Sequence, residues 1–127
     1  MHFGKKYAII KHNNACGIAS CSSVLTSYKK ALESDPLSAF GGVLITNHKV
    51  DVDSASEMNN LFFEILIAPD YDEESLKILK SKKNRILLKL KETNFDSRSS
   101  KKVLGGYLNQ DLDIAENKIK NWKVVTQ

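Results

Sequence analysis

Four short apolar runs limit what this chain can become. They are "KYAIIK" (6–11), "VLIT" (43–46), "EILIAP" (64–69) and "RILLKL" (85–90). Each is too short for a buried helix, and most are rich in β-branched residues, so they predict buried strands. Between them lie stretches with helical spacing. Residues 20–36 carry Val24, Leu25, Tyr28, Ala31 and Leu32 at that spacing, with serines available as caps. "DVDSASEMNNLFF" (51–63) places Asp51 or Asp53 near a helix start, and "DEESLKILKSKKN" (72–84) runs from acids to lysines, as the helix dipole favours. Strand and helix alternate three times, which predicts an α/β fold with a substantially parallel sheet.

The connections have their own signals. "HNNACG" (12–17) reads as a turn, and Asp35-Pro36 should end the first helix, because a residue before proline is pushed out of helical geometry. "SAFGG" (38–42) reads as a loop leading into the second strand. Residues 94–102 read as a loop or hairpin bend. "VLGGYLNQDLD" (103–113) reads as a strand interrupted by Gly105-Gly106, or alternatively as a glycine hairpin, and a tail follows at 116–127.

A chain of 127 residues, 42% hydrophobic and 27% charged, suits one globular domain with a core of its own. The net charge of +4 fits an anionic small molecule as well as it fits nucleic acid. Lysines follow helix ends instead of forming a stripe, so nucleic acid is not the expected partner; "KSKKNR" (80–85) reads as a solvated helix C-terminus. No apolar run reaches bilayer length, and no secretion signal is legible, so no membrane is expected. Cys16 and Cys21 are too few for a disulfide framework. Together these features predict a cytoplasmic protein.

The chemistry-bearing residues gather at a few places. Lys11 and His12 follow directly on an apolar strand. At the carboxyl end of a parallel strand they would enter the crevice where α/β proteins bind ligands. A histidine there can take a proton near neutral pH, and a lysine can offset negative charge on an oxyanion or phosphate. A merely polar strand end is the alternative. Asn13 and Asn14 can bond a ligand or tolerate a left-handed turn. Phe40 and Gly41 lie in a segment whose glycines admit a ligand close to the backbone, or simply form a tight turn over a buried phenylalanine. Glu64 opens an apolar strand, as an exposed first residue or a ligand acceptor. His12, Cys16 and Cys21 do not match the zinc-deaminase pattern, which needs His-x-Glu and Cys-x-x-Cys, so no zinc is expected.

"IIKHNNACGIAS", "DPLSAFGG", "EILIAPDYDEESLKILKSKKN" and "GGYLNQDLD", in that order, resemble the transformylase region of the AICAR transformylase/IMP cyclohydrolase family. The likeness runs over nearly all of the chain, including "NWKVVT" near the end. One departure is Ala15, where the bacterial family usually has proline; its loss bears on turn rigidity more than on chemistry. The resemblance implies a three-layer α/β/α cytidine-deaminase-like fold with a mixed, largely parallel sheet, and a single subdomain over 1–127. It implies formyl transfer from 10-formyltetrahydrofolate, as co-substrate, to the 5-amino group of AICAR ribonucleotide. His12 would take the amine proton, and Lys11 would stabilise the oxyanion or assist departure of the folate nitrogen. Phe40 and Gly41 would line the nucleotide and folate pockets, Glu64 would bond the base or its carboxamide, and Asn13 would contact substrate.

The family's Arg-Tyr-Gly-x-Asn-Pro-His-Gln segment does not occur in these residues, nor does the second half of the transformylase. The chain is therefore expected to be a fragment, nearly silent alone, of an enzyme that is a homodimer when complete. A nucleotide- or folate-binding module without catalysis is the alternative.

Overall fold

The computed structural model describes residues 4–91 and 97–112. The chain divides into two compact units, Met1–Lys91 and Glu92–Gln127. The first unit opens with strands β1 (Lys5–Lys11) and β2 (Asn14–Cys21), paired antiparallel. Lys11 pairs with Asn14, so the connecting turn is only His12 and Asn13. Both have positive φ, 51° and 64°. Two such residues match the twist of a two-residue hairpin, and Asn and His enter that region more readily than most side chains.

This hairpin corrects the sequence reading. The turn occupies two residues instead of 12–17, and 14–21 is a strand. Its small and polar side chains give little strand signal; β1 supplies the partner that makes it one. The helix therefore starts later, as α1 (Val24–Ser34). Ser23 caps it: the Thr26 N–H donates to the Ser23 hydroxyl at 3.0 Å, and the Ser23 N–H donates to the Thr26 hydroxyl.

Asp35-Pro36 does end α1, but Pro36 then begins a second, short helix, α2 (Pro36–Ala39), inside what read as a loop. Proline fits there because the first helical turn has no use for its missing N–H. Strand β3 (Gly42–Thr46) follows, then α3 (Val52–Met58), β4 (Phe63–Ala68), α4 (Glu73–Lys80) and β5 (Ile86–Lys89). Asp51 caps α3 by accepting the Ser54 N–H at 2.8 Å. That helix is shorter than the 51–63 reading because the chain turns at Asn59–Leu61.

The sheet order is β2-β1-β3-β4-β5. Strands β3, β4 and β5 are parallel, and β1 is antiparallel to both its neighbours, so the sheet is mixed. Helices α1, α3 and α4 form one contiguous layer. Beneath it Tyr7, Ile9, Leu44, Leu66 and Ala68 are fully buried. The Tyr7 and Tyr28 rings meet edge to face at 5.3 Å, and the Tyr7 hydroxyl donates to Met58 Sδ. Gly17 lets α1 lie close, since a Cβ there would stand 1.9 Å from the Ala31 carbonyl oxygen. On the opposite face Ile10, Val43, Ile45, Ile65 and Ile67 are only half-buried. Among the described residues, no second helical layer covers that face.

The second unit contributes a hairpin, β6 (Arg98–Val103) and β7 (Gly106–Asp111). Val103 pairs with Gly106, so Leu104-Gly105 is its turn, with Gly105 at φ 81°. The glycine-hairpin reading of "GGYLNQD" holds; the single interrupted strand over 103–113 does not, and 98–102 is strand instead of loop. None of the hairpin's strand residues is buried. Residues 113–127, including "NWKVVT", lie outside the described residues.

Candidate active site

Strand β1 ends beside the start of β3: Ile10 pairs with Val43, and Tyr7 with Thr46. Gly42 in turn pairs with Phe63. Lys11 and His12 therefore stand at the amino ends of the parallel strands. The sequence reading put them at a carboxyl end; the antiparallel direction of β1 reverses it. Phe40, Gly41 and Glu64 lie at this same end of the sheet.

The Lys11 ammonium donates a 2.8 Å hydrogen bond to the Phe40 carbonyl. An ammonium has three N–H bonds, so two remain for a ligand. Asp35 contributes a carboxylate nearby, and it is held below the usual carboxylate range, mainly by hydrogen bonds from Ser38 and to a lesser extent by the charge of Lys11. His12 is exposed at the hairpin tip and makes no hydrogen bond among the described residues. Its left-handed backbone is a local strain of the kind that collects at functional sites. Lys11, His12, Asn14, Cys16, Asp35 and Ser38 line one open cavity of about 340 Å³. Neither Lys11 nor His12 is packed under a helix.

Phe40 is 60% exposed, so the buried-phenylalanine alternative is wrong. Its ring lies 5.0 Å from that of Phe62, itself half-exposed. Gly41 has φ 73°, and its N–H donates to the Phe62 carbonyl at 2.8 Å. That conformation suits glycine and holds the Phe40 carbonyl where Lys11 meets it. Glu64 is exposed and sits at an irregularity in the β3–β4 register, where one extra residue is accommodated on β4. Bulges of this kind re-aim side chains. Glu64 does not line the Lys11–His12 cavity, and neither does Asn13 at the exposed turn.

Asp35, Ser38 and Cys16 are the residues that sequence reasoning missed. The Asp-Pro-x-Ser spacing was the available signal, since it is a helix-capping pattern and the capping carboxylate had to sit near the following turn. Among the described residues, no three His, Cys, Asp or Glu side chains cluster in a way that could hold a metal ion.

A β2-β1-β3-β4-β5 sheet with one helical layer defines a class of fold. The dCMP deaminase from the cyanophage S-TIM5, in apo form, superposes with a TM-score of 0.55 at 9% identity, covering 68% of this chain and 79% of that one. The same enzyme in complex with dCMP and dUMP gives 0.52. The fold is therefore α/β and cytidine-deaminase-like.

The whole chain, residues 1–127, matches the family described as AICARFT/IMPCHase bienzyme, and it belongs to that family. It is 49% identical over 120 residues to the bifunctional purine biosynthesis protein PurH of Bacteroides thetaiotaomicron, covering 94% of this chain and 24% of that protein. The corresponding protein of Aquifex aeolicus is 51% identical over 108 residues, covering 84% of this chain and 21% of the relative. That of Ligilactobacillus salivarius is 39% identical over 127 residues, covering 98% and 25%. The chain thus spans about a quarter of the length of these relatives.

Proposed function

We propose that this chain carries the proton-transfer pair of a formyltransferase acting in purine biosynthesis. The reaction moves a formyl group from 10-formyltetrahydrofolate to the 5-amino group of AICAR ribonucleotide. The observation that carries this reading is the placement of Lys11 and His12 on one open cavity, in a member of this family. The substrate amine is deactivated by its aromatic ring, so positioning and charge stabilisation have to supply most of the rate.

In the step, the amine nitrogen bonds to the formyl carbon and His12 accepts the proton the amine gives up. The bond from the formyl carbon to the folate nitrogen then breaks, and that nitrogen receives the proton. Lys11 stabilises the oxyanion while both nitrogens are attached, or assists the folate nitrogen as it leaves. Phe40 and Gly41 line the substrate pockets, Glu64 accepts from the nucleotide base or its carboxamide, and Asn13 contacts substrate from the turn. The step as written calls on no zinc. The complete protein would also be an IMP cyclohydrolase, a homodimer, and cytoplasmic.

The alternative is a nucleotide- or folate-binding module without catalysis. A formylation assay with the missing portion of the transformylase supplied in trans separates the two. Activity that appears on mixing and falls about 10²–10⁴-fold with His12→Ala is the expected result. Ligand binding with no activity on mixing would sink the catalytic reading.

A further inference from the structure

A second cavity, of about 550 Å³, opens between the α3–β4 and α4–β5 connections. Asn59, Phe62, Lys82, Lys83, Asn84 and Arg85 stand in its wall, and no carboxylate does. Arg85 is the key residue. Its guanidinium stacks 3.9 Å from the centre of the Phe63 ring. It donates to the Asn59 side-chain oxygen at 2.8 Å and to the carbonyls of Leu79 and Leu61 at 3.3 and 3.4 Å. Its Nε is buried and has no hydrogen-bond partner.

Every acceptor Arg85 uses is neutral. Neither it nor Lys82 nor Lys83 forms an ion pair among the described residues. Three uncompensated cations around one concave surface produce a positive potential there. Lys82 and Lys83 are exposed just beyond the end of α4, and they are not what caps it. Ser81 already bonds the Ile78 carbonyl through its N–H and its hydroxyl, and Arg85 takes that of Leu79. Lys82 and Lys83 are left over. The exposed Phe62 ring adds an apolar wall beside them.

We propose that this cavity binds the anionic end, carboxylate or phosphate, of a small molecule, with Lys82, Lys83 and Arg85 as its counter-charges. The site is separate from the one holding Lys11 and His12, and it does not depend on formyl transfer.

The test is a titration of the 127-residue chain with tri-glutamate and, separately, with inorganic pyrophosphate, followed by amide NMR shifts. Saturable shifts centred on Asn59, Phe62 and Asn84 are expected. The Lys82→Ala/Lys83→Ala double variant, changed at exposed positions, should fold as before and bind roughly tenfold more weakly. Tighter saturation by tri-glutamate assigns a carboxylate ligand; tighter saturation by pyrophosphate assigns a phosphate. Shifts spread evenly over all lysine-bearing surfaces, or unchanged affinity in the double variant, overturn the proposal. Neither result touches the His12 reading, which is decided by formylation in the other cavity.

Discussion

The two ends of the five-stranded sheet are built differently. At the carboxyl ends of β4 and β5 the charges are matched: Lys89 pairs with Asp70 at 2.9 Å, and Lys49 pairs with Asp72. Tyr71 is buried there, its hydroxyl 2.9 and 2.8 Å from the carbonyls of Leu66 and Leu88, where it ties the two strands together. At the amino ends Lys11 and Arg85 form no ion pair among the described residues, although the Asp35 carboxylate lies near Lys11. Lys11 leans on a backbone carbonyl, Arg85 on neutral acceptors, and His12 on nothing described. Positive-φ residues, a register irregularity and an exposed aromatic pair gather at the same end. Paired charges and a tied backbone serve stability, whereas unpaired charge and strain cost stability and persist where ligands are met. Open parallel sheets usually bind ligands at their carboxyl ends. Here the antiparallel β1 brings the reactive pair to the other one.

Three substitutions would sharpen or break this contrast. The largest effect is expected from Gly41→Ala. The added Cβ has room, 3.6 Å from the Phe62 ring, but φ 73° should cost about 1–2 kcal/mol in thermal unfolding. It should also displace the Phe40 carbonyl and so change the NMR signal of the Lys11 ammonium. An unaltered Lys11 signal would mean that Gly41 does not position it.

Next comes Tyr71→Phe at the opposite end, expected to cost about 0.5–1.5 kcal/mol while leaving the Lys11 and His12 signals unchanged. Burial pushes the Tyr71 hydroxyl up to about 12 from an ordinary value of 10.0. The unfolded chain therefore loses this proton first as pH rises. The neutral hydroxyl's contribution is complete below pH 10 and disappears toward pH 12. Urea unfolding across that window should show a shallower alkaline loss in Tyr71→Phe than in the parent. Tyr28, also raised to about 12 chiefly by burial, keeps part of the slope in both proteins.

The smallest effect is expected from Lys89→Gln. Its ion pair with Asp70 is largely exposed, and exposed pairs contribute little and are screened by salt. A drop in melting temperature larger than that of Tyr71→Phe would show the carboxyl end to be held by charge more than by the tyrosine.

Much of this was legible in residue patterns. β1, β3, β4 and β5 each announce themselves as apolar runs, and the acids and lysines around α4 mark both its ends. β2 was not legible, because "NACGIASC" has no strand period of its own. It becomes a strand only when β1 offers hydrogen-bond partners and Gly17 lets α1 settle on it. The candidate site divides the same way. Lys11-His12 stood out as charge and imidazole after an apolar run, but Asp35, Ser38 and Cys16 join them only through the folded path of α2 and the hairpin. In "KSKKNR" residues 80–84 are exposed, as a solvated helix end predicts, and only Arg85 turns inward, onto Phe63.

Local chemistry alone settled which segments want to be strands and helices, because hydrophobic period and capping act over a few residues. The direction of β1 is a contact between segments more than thirty residues apart, as in the Ile10–Val43 pairing. No local pattern carries it. That one pairing decides which end of the sheet receives the imidazole and the ammonium.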